Sequence, residues 1–248
     1  MSNLSDSTDE VQSFKFDAIA VIESPYREKF AIPRQPNLVS AAKGKLVLIG
    51  AANNHELVRD IEQFSHLWLL FVFHGTQAQG WKPLVRPPRL GGNKKTGVLA
   101  TRSTFRPNPI GMSVVKLDKV VTTKQQTVLH ISGLDLLDGT PIVDIKPYVP
   151  YSDAIINADA GFAQEQPDTA LSVVFSEQAK MSLIQYEQRD SELALLIEQV
   201  LQQDPRPAYK QGKNDDKVYG MSLYDLNIQW QLTSFNTVLV LNITHVTQ

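Results

Sequence analysis

The side chains best suited to chemistry crowd into one short stretch. Residues 100–113 read ATRSTFRPNPIGMS and set Arg102, Arg106, Asn108 and the hydroxyls of Thr101, Ser103 and Thr104 among two prolines and a glycine. An arginine fork matches a carboxylate or a phosphate through charge-assisted hydrogen bonds. Pro107 and Pro109 fix their own φ and hold Arg106 and Asn108 extended, which excludes a helix and a central sheet position. The result is a stiff loop with exposed polar groups between two strands, the usual place for binding groups. The plain alternative is a proline-stabilised turn whose arginines are only solvated.

Charge favours the first reading. The chain of 248 residues carries a net charge of −2, yet residues 63–117 contain no Asp or Glu. They do contain Lys82, Arg86, Arg89, Lys94, Lys95, Arg102, Arg106 and Lys116. Such local asymmetry in a near-neutral chain marks an anion site and points to a phosphate-bearing partner. Around it lie other polar clusters. Residues 27–38 form a second Pro-rich loop with Arg34 and Gln35 between Pro33 and Pro36. His74 ends an apolar run beside a long basic loop. Asp138 and Gly139 read as a turn before Thr140 and Pro141, Asp144 as a strand carboxylate, and Tyr148 and Tyr151 as packed or base-stacking aromatics.

These groups need elements to position them. Alternation predicts a strand over residues 14–23, ended by Ser24 and Pro25, and a short strand over 45–49. Asn53 or Asn54 can cap a helix running to about Phe64, with Leu57, Ile61 and Phe64 on one face. Residues 67–73 (LWLLFVF) read as a strand buried on both faces. The connection 74–95 is long enough to be functional, and its Trp81, Leu84, Val85 and Leu90 call for burial. Strands follow over 96–101, 113–121, 127–132 and 141–146. Strands outnumber helices without alternating with them, so a mainly antiparallel sheet closed into a barrel is expected rather than a doubly wound parallel one. Residues 171–175 read as a strand, 177–203 as helical, and 217–232 with 235–246 as a hairpin. The chain is therefore expected to be mainly β: a loose tail (1–13), a small closed antiparallel β-barrel domain (14–157), a linker (158–169) and a small α+β domain (170–248) carrying Asp204, Pro205, Arg206, Pro207 and Tyr209 in one compact motif.

Absences narrow the chemistry. With no cysteine there is no disulfide, thiolate zinc site or cysteine nucleophile. The polar, acidic start is not a signal peptide, and the longest apolar run is too short to span a bilayer, so a soluble cytoplasmic protein without membrane or metal is expected. No G-x-G-x-x-G, P-loop, nucleophile elbow or zinc helix occurs. A non-catalytic RNA-binding module and a hydrolase using His74 with Asp144 stand as alternatives.

Long ordered segments then resemble one family. SPYREKFAIPRQP, FSHLWLLFVFH, WKPLVRPPRLGG, TGVLATRSTFRPNPIGMS, LDLLDGTPIVDIKPYVPYSD, DPRPAYKQ and YGMSLYDLNI are similar to the TrmO family, the TsaA-like (YaeB-type) tRNA methyltransferases. The resemblance implies a β-barrel enzyme using S-adenosyl-L-methionine (SAM) and methylating N6 of threonylcarbamoyladenosine beside the tRNA anticodon. It also implies a homodimer with SAM near the subunit interface.

Beside that resemblance the residues take roles. Arg102, with Arg34 second, could hold the SAM carboxylate. Backbone groups of Pro33, Arg34, Gln35, His74, Gly75, Asp138, Gly139, Thr140 and Pro141 could hold adenine and ribose edges. Asp144, Tyr148 and His74 are candidate proton acceptors. Ser103, Thr104, Arg106 and Asn108 could read the modified base, while Arg86, Arg89, Lys94, Lys95 and Trp81 grip the anticodon stem-loop. Arg206, Tyr209 and Lys210 could close over the site or touch tRNA.

Overall fold

Period-2 burial builds the first half of the chain. In the computed structural model, which describes residues 12–91, 93–165, 171–186, 191–207, 210–211, 213, 216–234 and 236–246, this pattern defines β1 (Ala20–Glu23), β2 (Lys43–Leu48) and β3 (His66–Val72). A two-stranded arm, β4 (Leu84–Val85) with β5 (Thr96–Gly97), interrupts the series. The barrel resumes with β6 (Ile110–Thr122), β7 (Thr127–Ser132) and β8 (Pro141–Pro147), followed by one turn of helix, α1 (Pro150–Asp153). The six long strands close in the order β1-β2-β7-β6-β3-β8, every pair antiparallel. Closure leaves no unpaired edge. Ala20, Ile22, Leu46, Leu67, Leu69, Val115, Leu129, Ile131 and Ile142 fill its interior and are almost completely buried. Burying each large aliphatic side chain contributes roughly 1.5–3 kcal/mol.

Several expected elements differ. β1 starts at Ala20, not residue 14. Phe14 and Phe16 alternate correctly but remain 71% and 68% exposed, because β1 finds its partners in β2 and β8 only from Ala20 onward. The helix expected over 53–64 is absent. Two 3-10 turns, His55–Val58 and Ile61–Gln63, take its place, with Asp60 between them at φ 65. Asn54 does cap the first, accepting from Glu56 N, but Leu57 stays in solvent and only Val58 and Ile61 pack partly against the core. β3 is buried on one face only: Leu67, Leu69 and Phe71 point inward while Trp68, Leu70 and Val72 are half-buried outside. Residues 96–101 form the short β5 and a 3-10 turn, Val98–Ala100. Residues 1–11 of the expected tail lie outside the described residues.

The second half holds β9 (Ser172–Phe175), α2 (Glu177–Tyr186), α3 (Leu193–Gln202), β10 (Tyr219–Leu223), β11 (Leu226–Ser234) and β12 (Thr237–His245). The helical stretch is thus two helices, and the expected hairpin is three strands, because Tyr224 turns the chain at φ 53. The sheet order is β10-β11-β12-β9, with β9 and β12 parallel. Leu193, Leu196, Ile197, Val200 and Leu201 of α3 supply a buried face.

This half clasps the β1–β2 connection. Tyr26 bridges to Leu223, Tyr224 N donates to Pro25 O at 2.8 Å, and Ser222 N donates to Glu28 Oε1 at 2.8 Å. Farther along, Ala41 N donates to Gln199 Oε1 at 3.0 Å, Gln199 Nε2 donates to Ser40 Oγ, and Lys43 pairs with Glu192. The Pro-rich loop therefore leaves the barrel, crosses the α+β unit and returns under restraint at both ends.

Candidate functional site at the mouth of the barrel

Topology gathers the polar loops at one end. β1, β3 and β7 finish there, and β2, β6 and β8 begin there, as the pairs Lys43↔Ser132, Val72↔Ile110 and Val21↔Pro141 require. The connections 24–42, 73–109 and 133–140 consequently share a rim. Close contacts lock them together. Arg102 Nη1 donates to Gln35 Oε1 at 2.6 Å, joining the two Pro-rich loops. Phe73 N donates to Pro109 O at 2.8 Å. Asn37 N donates to Gly133 O at 2.8 Å, and Asn37 Nδ2 donates to Val114 O at 3.4 Å. A Cβ on Gly75 would stand 3.3 Å from Leu137 Cδ2, so the exposed His74 and Gly75 abut the 133–140 connection.

Gly111 forms the base of this arrangement. A Cβ there would come within 2.3 Å of Phe71 Cε2 and 2.8 Å of Phe73 Cζ. The absent side chain lets two edge-to-face rings, 5.2 Å apart, lie across β6 just below the loop. At the turn, Gly139 has φ 75, a conformation for which glycine is the default residue.

The turn's groups are largely engaged. Asp138 Oδ1 accepts from Ser24 N at 2.9 Å, and its other oxygen pairs with Arg27. The N–H groups of Asp138, Gly139 and Thr140 donate to Tyr26 O, Ile22 O and Leu137 O. The carboxylate and these donors are thus engaged within the protein, and Pro141 has no N–H. The turn offers carbonyl oxygens instead.

Other expected residues part company. Gln35 and Arg102 meet, but Arg34 has no part in that contact. Arg34 and the buried Pro33 line a cleft of about 270 Å³ with Pro88, Asp204 and Arg206. Desolvation there moves the Arg34 guanidinium below its usual range, against the pull of Asp204 and with the push of Arg89. Arg106 is also redirected: its Nη1 donates to Thr101 O at 2.9 Å and Ser103 O at 3.3 Å, stapling its own loop. Ser103 Oγ accepts from Phe105 N. Thr104 is half-buried, and Asn108 is exposed.

Arg86, Lys94 and Lys95 stand exposed on the β4–β5 arm, accompanied by Trp81 at 58% and Leu99 at 76% exposure. The expected burial of Trp81 and Leu84 does not occur. Arg89 instead donates to Phe162 O and Glu165 O, holding the following segment against the arm.

Asp144 and Tyr148 are engaged elsewhere on β8 and beyond it. Asp144 pairs in register with Leu70 on the outer face and forms an ion pair with Lys146 at 2.9 Å. Tyr148 lies seven residues beyond Pro141, about 23 Å away at ~3.3 Å per residue. Its ring packs 5.7 Å from Trp68 and 6.4 Å from His66. Arg206 is not available to a substrate either. Its side chain is 1% exposed, its Nε and Nη2 each donate to the Asp204 carboxylate at 2.7 Å, and its Nη1 donates to Lys213 O. Lys210 Nζ donates to Tyr219 OH at 3.0 Å. Tyr209 lies outside the described residues.

One site residue escaped sequence reasoning. Asp135 sits between the fully buried Leu134 and Leu136, and its Oδ1 is buried without a hydrogen-bond partner among the described residues. Burial pushes its carboxyl up to about 6, while the Ser113 hydroxyl, its own backbone N–H and the Arg102 charge pull down. Burial, then the Asp135 charge, raises the phenol of Tyr26 beyond its ordinary range. The signal in the sequence was an acid at the solvent phase of an apolar run that stays buried on both sides.

The mouth thus gathers a guanidinium, an amide, a histidine, carbonyl acceptors and a carboxylate. Among the described residues, no cluster of three or more acids and histidines could hold a metal, and no helix is long and apolar enough to cross a membrane.

Comparison with known proteins identifies the family. The family model described as "tRNA-methyltransferase O N-terminal domain" matches residues 21–154, and the corresponding C-terminal domain model matches residues 168–246. The chain is 52% identical over 223 residues to the tRNA (adenine(37)-N6)-methyltransferase of Escherichia coli K12, covering 90% of this chain and 95% of that protein. It is 47% identical over 226 residues to a protein of Pseudomonas aeruginosa named as a putative S-adenosylmethionine-dependent methyltransferase, covering 91% and 95%. The crystal structure of TrmO from P. aeruginosa superposes with a TM-score of 0.79 at 41% identity, covering 95% of this chain and 99% of that one.

Proposed function

The chain belongs to the tRNA-methyltransferase O family, and on that premise we propose that it methylates N6 of adenosine 37 in tRNA, with SAM as methyl donor and threonylcarbamoyladenosine as the substrate base. The observation that carries this reading is the Arg102–Gln35 contact. It couples two rigid loops into one wall at the barrel mouth, on the same rim as the turn at Asp138 and Gly139. The donor set fits SAM: a guanidinium for its α-carboxylate, carbonyl acceptors for its adenine amino group, and a buried, unpartnered carboxylate oxygen for a cationic or hydrogen-bond-donating group. SAM, when bound, supplies an electrophilic methyl on a sulfonium.

The chain's own part is to orient and to take up a proton. Proline-stiffened loops lose little order on binding and hold reacting groups in line. His74, exposed on the rim, is the candidate proton acceptor at this end. The arm supplies the nucleic-acid contact: Arg86, Lys94 and Lys95 for phosphates, and exposed Trp81 for an unstacked base. A second copy covers the outer face of β3 and β6, where Ile110 and Met112 are 43% and 51% exposed beside Trp68 and Leu70. Cytoplasm is the compartment for such an enzyme.

The test incubates the protein with SAM and tRNA bearing or lacking the threonylcarbamoyl group, then weighs the nucleosides. One added methyl on the modified base alone is expected; no methyl on either refutes the reading. Arg86→Ala with Lys94→Ala and Lys95→Ala should lower the salt slope of tRNA binding by about three phosphate contacts. An unchanged slope would remove the arm from the interface.

A further inference from the structure

A carboxylate oxygen without a partner sits inside the candidate pocket. Asp135 Oδ1 is shielded from solvent and accepts no hydrogen bond among the described residues. Leaving a shielded carboxylate oxygen without a donor is costly, so a missing donor at Oδ1 is the simplest explanation. Its surroundings narrow what that partner is. The Ser113 hydroxyl lies beside the carboxyl, and the Arg102 guanidinium is close enough to act on it electrostatically. Ser113 is itself buried on β6, in register with Leu69, and so fixes the acid from the barrel wall. Arg102 is exposed and steadied through Gln35. An anion and a cation, each beside a neutral polar side chain on a different element, present complementary charges to one ligand.

We propose that Asp135 and Arg102 form a clamp for an α-amino-acid zwitterion, Asp135 accepting from the α-ammonium of the SAM methionine end while Arg102 takes its carboxylate. The assignment rests on the SAM reading above. A ribose hydroxyl or adenine amino group could satisfy Oδ1 as a donor but would leave the negative charge uncancelled. The α-ammonium supplies both donor and charge, and it lies one carbon from the carboxylate that Arg102 is suited to hold. Asp135 binds and orients, and no bond to it forms or breaks.

The test is calorimetric titration of the full chain with three ligands. SAM has the amino-acid end and a charged sulfur. S-adenosylhomocysteine has the same end and a neutral sulfur. Methylthioadenosine lacks the amino-acid end. Asp135→Asn is expected to weaken SAM and S-adenosylhomocysteine by the same factor, about tenfold or more, and to leave methylthioadenosine unchanged. Weakening of SAM alone would place the contact on the sulfonium, and equal weakening of methylthioadenosine would place it on the nucleoside. Either result, or no weakening at all, overturns the clamp. A second measurement needs no variant: the wild-type protein is titrated with S-adenosylhomocysteine lacking its α-amino group. A loss matching that of Asp135→Asn supports the clamp, and undiminished affinity refutes it even if the substituted protein does not fold. Wild-type protein that binds neither SAM nor S-adenosylhomocysteine refutes the SAM reading itself, a distinct result.

Discussion

Replacing Gly111 with alanine is a sharp test of how the loop is seated. The added Cβ would lie 2.3 and 2.4 Å from two atoms of the Phe71 ring and 2.8 Å from Phe73 Cζ. Ordinary contact begins near 3.4 Å, so the Phe71 ring must retreat by 1.1 Å (3.4 less 2.3). It has little room, because Phe71 is 5% exposed and its other flank holds Phe73 edge-on. Overpacking of this kind costs about 1–3 kcal/mol. For a chain of this size each kcal/mol moves Tm by about 2–4 °C, so the expected fall is roughly 2–12 °C. Gly97→Ala is the control, since nothing lies within 4 Å of its Cβ. Reduced unfolded-state freedom alone makes such a change neutral or stabilising by about 0.4–1 kcal/mol. Differential scanning fluorimetry of both variants, with the wild type, decides the matter. If Gly111→Ala melts at or above the wild-type temperature, the rings do not need the missing side chain and the reasoning fails. Because Phe73 N holds Pro109 O, a displaced Phe73 also drags the loop. Gly111→Ala should therefore lose methyl transfer beyond what its fraction unfolded explains.

Two further outcomes follow from buried charge. Arg206→Ala leaves the Asp204 carboxylate, 14% exposed, without its bidentate partner, and should cost about 3–5 kcal/mol in urea unfolding; unaltered stability would show that Arg206 serves a ligand instead. Asp135 titrates near 6 in the fold against an ordinary 3.8, so its favourable contribution is complete below pH 3.8 and lost as pH rises through 6. Relative to the ligand-free wild type, Asp135→Asn should gain up to roughly 2–3 kcal/mol between pH 4 and pH 7, and a constant difference across that range would exclude the shift.

The barrel was legible because its strands alternate strictly: β7 spans the same residues that alternation marks, and β2, β6 and β8 differ only at their ends. Patterns without a tertiary partner misled. Leu57, Ile61 and Phe64 share a helical face, but only Ile61 packs against the core while Leu57 and Phe64 stay exposed, and Asp60 takes a left-handed conformation that propensity does not reveal. Phe14 and Phe16 failed for the same reason in strand form. At the site, residue types announced the loop but not the direction of each side chain. Adjacent Arg34 and Gln35 serve different clefts, and Arg106 folds back on its own carbonyls. Asp135 stayed hidden because a lone acid between leucines reads as the wet phase of a strand, and only closure of the rim covers it.

The barrel is a ring with one thin seam. β3 and β6 share seven register pairs, whereas β1 meets β8 at two, Ala20↔Ile142 and Val21↔Pro141, and Pro141 brings no N–H to the joint. The joint also links residues more than a hundred positions apart, so during synthesis the ring cannot shut until almost the whole first half has emerged. Local opening will begin where cross-strand bonds are fewest. That place adjoins the Asp138–Gly139 turn, since Gly139 N and Ile22 N bond across it to Ile22 O and Thr140 O. A molecule lodged against the turn is thus a latch on the ring. Its binding free energy adds to the work of parting β1 from β8, and slowed amide exchange at Val21 and Ile22 would report occupancy from a strand the ligand never touches.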